Sequence, residues 1–177
     1  METNQWVLDP SHSELQFKIK HLMITNVTGN INSFDINVTT QGDDFSTAEI
    51  HFTADVNSID TNSEQRDGHL KSPDFFDVAQ FPKITFKGTG TENKHHDGHF
   101  DLHGDLTIKG VTKNIHVNVE FGGITKDPYG NVKAGFTVTG KINRSDFGLT
   151  WNAALETGGV MVSEEVKIIS EIQLIKK

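Results

Sequence analysis

Three residues of one strand-like segment have side chains that could bind a divalent metal. His99, Asp101 and His103 alternate with apolar residues, and alternate positions of a strand lie about 6.6 Å apart on one face. Imidazole and carboxylate groups are ligands that zinc uses in proteins. The apolar residues between them belong on the inner face of a sheet, so the three polar side chains should point to water. We therefore predict no metal site, and a His-based metal-binding stress protein that also uses His95 is kept as an alternative.

A second polar group, Arg66, Asp67 and His69, could act on a bound molecule. In an enzyme these side chains would serve as electrophile, acid and base, yet no activated nucleophile, Ser-His-Asp order or paired-carboxylate motif accompanies them. A structural interpretation has Arg66 held by a carboxylate. A binding interpretation has Arg66 or His69 contacting the polar head of a ligand, since a planar guanidinium can donate two hydrogen bonds to phosphate. We predict no catalytic residue and keep an enzyme acting on a small amphiphile as an alternative.

A charged pair and one histidine are further candidates for a role in the fold or in ligand binding. Arg144 and Asp146 lie where a strand pattern ends, which favours an ion pair that fixes a corner of the fold. His21 shares the parity of the apolar residues Phe17 and Ile19, so its ring should point inward. Such a histidine is either a hydrogen-bonded core residue or a contact for a ligand.

The elements that would position these groups are long strands. Apolar residues alternate with polar ones over residues 13–23, and the same period of two recurs in about eight segments of the chain. Turn sequences such as residues 41–44 and 127–131 separate the strands. Strands of about ten residues are longer than those of most sandwiches. Eight of them in a meander predict a closed antiparallel barrel, with a two-sheet sandwich as the alternative.

One segment, residues 61–77, interrupts the strand pattern. Thr61 followed three residues later by Glu64 matches a capping box, so a helix should begin there and end near Ser72, because Pro73 cannot continue it. The predicted helix is short and polar, and Leu70 is its only large aliphatic residue. This composition is typical of a plug or gate rather than of a core helix. Its anchors should be the apolar residues that follow it, namely Phe75, Phe76, Val78 and Phe81.

Composition limits the classes of function. A chain of 177 residues with 34% hydrophobic residues suits one domain, residues 1–177, built from half-buried antiparallel strands. Twelve phenylalanines against one tyrosine supply apolar area without hydroxyl groups, as a dry cavity wall would require. The net charge of −8 argues against nucleic acid as a partner and against charge-driven binding to anionic membranes. Because the chain has no cysteine, disulfides and thiolate chemistry are excluded.

The sequence also bears on the compartment. No apolar run approaches the length of a transmembrane helix, so we expect no stable membrane insertion. The first residues lack the basic and apolar regions of a secretory signal. A cytoplasmic location is therefore predicted, with removal of a signal before the first methionine as the alternative.

Sequence blocks spread over nearly the whole chain occur in an order and spacing that resemble those of one family. The central blocks are SIDT, RDGHL, SPDFFD and FPKITF between residues 58 and 86. WVLDPSHSELQFKIKHLM begins at Trp6, GDLTIKGVTK at Gly104 and INRSDFGL at Ile142. In this order the blocks resemble the YceI-like family of polyisoprenoid-binding proteins, many members of which are exported. The resemblance implies an all-β, eight-stranded antiparallel lipocalin-like barrel with one short helix near its mouth.

The resemblance further implies an apolar channel that holds an isoprenoid or related amphiphile for carriage, storage or sequestration. We expect the channel to be lined by inward-facing residues, namely Phe17, Ile19, His21, Met23, Phe34, Phe52, Phe86, Leu106, Val117, Phe136 and Val138. The gate would consist of Arg66, Asp67, His69, Leu70, Phe75 and Phe76. No cofactor is expected, and the resemblance permits a homodimer. Links to isoprenoid-quinone metabolism or stress stay open, and a barrel solid with packed side chains is the alternative that needs no ligand.

Overall fold

A computed structural model describes residues 2–92, 98–153, 155 and 161–177, with the backbone alone described at residues 90–92. Within these ranges the chain forms eleven strands and one α-helix, because apolar and polar residues alternate along most of it. The strands are β1 (Thr3–Leu8), β2 (Glu14–His21), β3 (Thr25–Ile31), β4 (Phe34–Gln41), β5 (Asp44–Asp55), β6 (Ile59–Asp60), β7 (Lys83–Glu92), β8 (His99–Ile108), β9 (Val111–Lys126), β10 (Val132–Asn143) and β11 (Val162–Lys176), and the helix is α1 (Glu64–Lys71).

Three pairs of consecutive strands run in the same direction and act as single interrupted strands. Along β11, Ser170 pairs with Leu15 of β2 and Leu174 pairs with Leu8 of β1, so β1 and β2 lie end to end beside one partner. β4 likewise continues β3, and β6 continues β5. The eleven described segments therefore make eight long strands, each antiparallel to its neighbours. They close into one barrel, which confirms the predicted eight-stranded lipocalin-like fold with one short helix.

Hydrogen bonds from one partner strand join the two halves of an interrupted strand. Between β1 and β2, the backbone N–H of Asp9 donates to the carbonyl of Gln173 at 2.9 Å, and the N–H of Gln173 donates to Ser13 Oγ at 3.0 Å. β11 therefore keeps its backbone groups satisfied across the interruption. A second interruption separates β3 from β4 beside Ser33, where the sequence pattern slips by one residue.

The carboxylate of Asp9 is nearly buried at this first interruption. It accepts hydrogen bonds from Lys133 Nζ at 2.7 Å and from His12 Nδ1 at 2.8 Å. The hydrogen bond from Lys133, partly opposed by burial and reinforced by His12 and Ser11, holds the pKa of Asp9 well below its usual range. The ionised pair ties β10 to the junction of β1 and β2.

Aromatic rings fill the same end of the barrel. Trp6, which pairs with Lys176 at the end of β11, is fully buried, and its Nε1 donates to Thr40 Oγ1 at 3.0 Å. The ring of Phe45 lies 4.9 Å from that of Trp6 and 4.8 Å from that of Phe136, measured between centroids. The interior is therefore closed at this end.

The helix α1 begins two residues later than its sequence predicts. Ser63, not Thr61, is the N-cap, because Ser63 Oγ accepts the backbone N–H of Arg66 at 3.3 Å. Glu64 is thus the first helical residue and cannot close the expected capping box. Thr61 instead contacts the side chains of Arg66 and Asp67.

The helix ends as predicted and is held by the chain that follows it. Ser72 caps α1 immediately before Pro73, and no residue of α1 is buried. The backbone N–H of Phe76 donates to the carbonyl of Leu70 at 3.0 Å, while Phe75 is 7% exposed and anchors the segment. With eight residues, the one α-helix in the described part of the chain is too short and too polar to cross a membrane.

Two phenylalanine rings lie against the inner surface of the sheet because glycine occupies the position beneath each ring. Gly29 pairs with Phe17 across β2 and β3, and a Cβ at Gly29 would overlap the Phe17 ring. A Cβ at Gly104 would overlap the Phe86 ring and lie 2.5 Å from the carbonyl oxygen of Lys87. Glycine within a strand often marks such a close approach.

We predict that Gly104→Ala lowers the free energy of unfolding by about 2 kcal/mol, because the added methyl group meets a backbone carbonyl that cannot move alone. Urea denaturation measures the change. The matched control is Gly135→Ala in β10, where a Cβ would meet nothing within 4 Å. Equal losses in the two variants would contradict this explanation of Gly104.

A second prediction concerns acid stability. Because the folded pKa of Asp9 is lowered, its stabilising effect is present above the unfolded pKa of about 3.9 and is lost as pH falls through the folded value. Asp9→Asn should therefore lower the free energy of unfolding at pH 7 and make its decline below pH 4 shallower. Denaturant titrations from pH 7 to pH 2 test this. Parallel pH profiles for the variant and the wild-type protein would refute it.

Candidate ligand-binding cavity

The inward faces of the strands enclose a cavity of about 760 Å³. An eight-stranded barrel leaves room either for its own side chains or for one small ligand, and here part of the bore is open. Apolar side chains from all eight long strands form the wall. Nine of the residues expected to line the channel lie on this wall: Phe17, Ile19, His21, Phe52, Phe86, Leu106, Val117, Phe136 and Val138.

Two residues expected on the wall lie elsewhere. Met23 falls in the turn after β2, has a left-handed backbone with φ 63°, and is 49% exposed. The alternation of β2 ends at His21, so parity no longer gives the direction of a side chain at Met23. Phe34 is the first residue of β4, and its ring packs against that of Phe52, 6.0 Å away between centroids. Phe52 occupies the wall at that place.

The wall also contains residues that were not among those predicted to line the channel or form its gate. Most lie on the apolar face of an alternating strand, so the alternation also indicates that they point inward. They include Leu15, Val27, Ile36, Ile50, Leu102 and Ile168. Arg144, Trp151 and Met161 lie outside the alternating segments. Only the return of the chain to the barrel rim brings these three to the cavity.

The segment around α1 contributes to one end of the wall. Five residues of the expected gate line the cavity there: Arg66, His69, Leu70, Phe75 and Phe76. Asp67 is not on the wall. Its carboxylate instead accepts the backbone N–H of Thr61 at 2.9 Å and the Thr61 hydroxyl at 2.5 Å.

Arg66 is held by Thr61 rather than by the carboxylate that the sequence suggested. Its Nε donates to Thr61 Oγ1 at 2.7 Å, and its second nitrogen donates to the Thr61 carbonyl at 2.5 Å. Thr61 is buried and therefore links Arg66 and Asp67 to the end of β6. This small network fixes the start of α1.

Three rings hold the other end of α1 against the barrel. The ring of His69 lies 4.8 Å from Trp151 and 5.0 Å from Phe75 between centroids, with both pairs edge to face. Trp151 and Phe75 are 5.4 Å apart. The Nε2 atom of His69 also lies 3.0 Å from a carboxylate oxygen of Asp74. The rings of this cluster form the rim of the cavity.

Arg144 holds the loop that carries Trp151. Its side chain does not pair with Asp146, as the sequence suggested; it is buried and donates to backbone carbonyls, with Glu164 3.7 Å away. Burial lowers the pKa of the guanidinium, and the charge of Glu164 opposes this. The acceptors are the carbonyl oxygens of Leu149, Trp151, Val162 and Ser163, at 2.6, 2.9, 3.2 and 2.8 Å.

The outer histidines do not converge with carboxylates in the described ranges. No group of three or more His, Cys, Asp or Glu side chains that could hold a metal ion occurs there. The rings of His103 and His116 are tilted by 50° to one another with centroids 3.9 Å apart, and His99 Nδ1 lies 3.1 Å from Asn118 Oδ1. His95 lies outside the described residues, so the absence of a metal site stays a prediction.

Comparisons with known proteins cover nearly the whole chain. A family model described as YceI-like domain matches residues 6–174. A UPF0312 protein of Staphylococcus aureus is 46% identical over 164 residues, which make up 92% of this chain and 92% of that protein. The solved structure of a Campylobacter jejuni YCEI protein is 32% identical, covers 96% of each chain and has a TM-score of 0.76.

Two more distant structures share the fold. BcnA of Burkholderia cenocepacia has a TM-score of 0.78 at 21% identity, over 94% of this chain and 98% of that one. A polyisoprenoid binding domain from Saccharophagus degradans has a TM-score of 0.68 at 16% identity, over 97% and 98% of the two chains. These two likenesses concern the fold alone, whereas the family model and the 46% identity concern the sequence of the whole barrel. The chain belongs to the YceI-like domain family.

Proposed function

We propose that the protein binds a long-chain isoprenoid or a similar amphiphilic lipid inside the barrel and carries, stores or sequesters it. The observation that supports this most directly is the cavity of about 760 Å³ with its largely apolar wall. Its volume falls within the range of about 300–1,000 Å³ that is typical of ligand sites. The polyisoprenoid binding domain from Saccharophagus degradans, which shares the fold, is consistent with the same class of ligand.

An apolar tail needs no polar anchor to bind in such a cavity. Each methylene group removed from water contributes about 0.8 kcal/mol, so a tail of about fifteen carbons gains about 12 kcal/mol before the cost of ordering it. Flat rings such as Phe17 and Phe86 add contact area along the wall. Binding is therefore driven by transfer of the tail out of water, and it selects for apolar length and shape.

The polar end of the ligand belongs near α1. Polar and charged side chains of the wall gather there, including Gln65, Arg66 and His69. Thr61 already uses two donors of Arg66, and the guanidinium has further donors that a head group can use. At the opposite end Trp6 is fully buried and its ring packs against that of Phe45.

We propose binding without a chemical step. Of the three side chains that an enzyme would use, Asp67 accepts from Thr61 and Arg66 donates to Thr61, so both have structural roles. His69 packs edge to face in the ring cluster. A cytoplasmic location and a homodimer stay predictions.

We predict that protein purified from a bacterial host carries a prenyl lipid or fatty amphiphile at close to one molecule per barrel, because the apolar wall retains it. Organic extraction followed by mass spectrometry measures the content. The matched control is a Val117→Arg variant purified in parallel, in which a charge replaces an apolar group of the wall. Wild-type extracts that repeatedly match a control protein of another fold would refute the proposal.

We also predict that substitutions on the cavity wall lower the lipid content, whereas a substitution on the outer surface does not. Phe52→Glu and Val117→Arg should reduce lipid content by at least about tenfold, since each buries a charge in the cavity. Lys18 lies on β2 with the opposite parity to the wall residue Phe17. The Lys18→Glu variant should therefore keep its lipid content.

A third wall variant introduces no charge, so it separates an effect on the cavity from an effect on folding. Val138→Phe keeps the wall apolar but narrows the bore, so it should shorten the longest tail recovered. Circular dichroism checks that each variant folds. Equal lipid loss in Lys18→Glu and the wall variants, with all of them folded, would show that the cavity is not the site.

A further inference from the structure

The turn between β2 and β3 exposes three consecutive apolar side chains. Leu22, Met23 and Ile24 are 37%, 49% and 77% exposed. Only two other large apolar residues in the described ranges are exposed, Ile124 and Tyr129. An apolar cluster of this kind on a protein surface commonly marks a contact site. We call residues 22–24 the apolar turn.

The apolar turn is continuous with the rim of the cavity. It follows His21, which lies on the cavity wall, and Ile24 closes the turn by donating its N–H to the carbonyl of His21 at 3.2 Å. The N–H of Leu22 donates to the carbonyl of Met161, another wall residue, at 2.8 Å. A surface that rests on the apolar turn therefore lies beside the end of the cavity that contains α1, and away from the closed end at Trp6.

The backbone of the apolar turn has an unfavourable conformation. Leu22 and Met23 both have left-handed conformations, with φ 52° and 63°. That region is unfavourable for a residue with a Cβ, and glycine or asparagine would be the usual choice. Two apolar residues occupy it here, so the turn combines backbone strain with exposed apolar surface.

We propose that the apolar turn inserts into the surface of a lipid bilayer, so that ligand passes between the membrane and the cavity without entering water. This inference rests on the proposed function. Three side chains are too few for a stable protein interface, which usually buries about 800 Å² on each partner. The net charge of −8 gives no general attraction to anionic lipids, so the contact is apolar and reversible.

The ligand supplies the physical reason for such contact. A tail that crossed water would expose every one of its methylene groups to solvent, which makes release into solution slow. A mouth held at the membrane surface removes that barrier, because the tail moves directly from one apolar medium to another.

The test is flotation of the purified protein with vesicles of pure phosphatidylcholine. The double variant Met23→Asp and Ile24→Asp should reduce the vesicle-bound fraction by about tenfold, since two charges replace the inserted side chains. Tyr129→Asp is the matched control: Tyr129 is 89% exposed in the turn between β9 and β10, at the closed end of the barrel, and its substitution should change nothing. High salt should not weaken binding of the wild-type protein.

A kinetic measurement adds an independent readout. Transfer of a fluorescently labelled farnesol from the protein to acceptor vesicles should speed up in proportion to vesicle concentration, and the double variant should lose this dependence. Lipid content after purification should be unchanged in the double variant, because the apolar turn is not on the wall. Lipid content thus tests cavity binding, while flotation and transfer kinetics test membrane docking, so either proposal can be refuted without the other.

Three outcomes would overturn the proposal. One is the absence of wild-type flotation at millimolar lipid, and another is an equal loss in Tyr129→Asp. The third is a double variant that floats like the wild-type protein. A change in its oligomeric state in sedimentation velocity would then assign the apolar turn to a contact between copies of the chain.

Discussion

Closure of eight strands into one sheet sets the distance between opposite walls, and the rest of the structure depends on that distance. Each strand is hydrogen-bonded on both sides, so the wall cannot fold inward to fill the space that it surrounds. Side chains narrow the bore only as far as they reach. Glycines at positions 29 and 104 let the rings of Phe17 and Phe86 lie against the sheet, and a cavity of about 760 Å³ remains.

The two ends of this barrel are built differently. At the closed end, Trp6 and Phe45 fill the bore, Lys176 lies 5.2 Å from the Trp6 ring centroid, and Asp9 pairs with Lys133 across the sheet. The other end is covered by α1, in which no residue is fully buried. It is held by neighbours instead: Arg144 fixes the backbone of Trp151, and Trp151 supports the ring of His69.

The two ends of the barrel therefore offer a ligand different surroundings. The wall provides apolar area, the α1 end provides polar groups and an exposed apolar turn, and the closed end provides stability. α1 has no fully buried residue and is held by the contacts of Leu70 and the His69 ring, so it can shift at a lower cost than a strand paired on both sides. The binding by partition that we propose suits such a site, since the affinity of an apolar tail comes from its whole length and not from any one contact.

What could be predicted from the sequence followed from the period-two alternation of the strands. Alternation determines which face of a strand is apolar, so eight strands, a closed barrel and nine wall residues could be named without coordinates. It fails where a strand ends, and for that reason Met23 was placed on the wall although its turn carries it outward. The capping-box motif at Thr61 also gave a wrong prediction, because the N-cap of α1 is Ser63.

The sequence by itself therefore determined the strands, their inner faces and the family. Only the tertiary structure decided the partners of Arg66 and Arg144, which are Thr61 and the backbone carbonyls of the loop that follows Arg144 and of β11. Which acceptor each guanidinium reaches depends on how the chain turns and closes, and no local period encodes that. The same holds for the space inside the barrel, because its volume is a difference between the radius of the closed sheet and the reach of side chains from all eight strands.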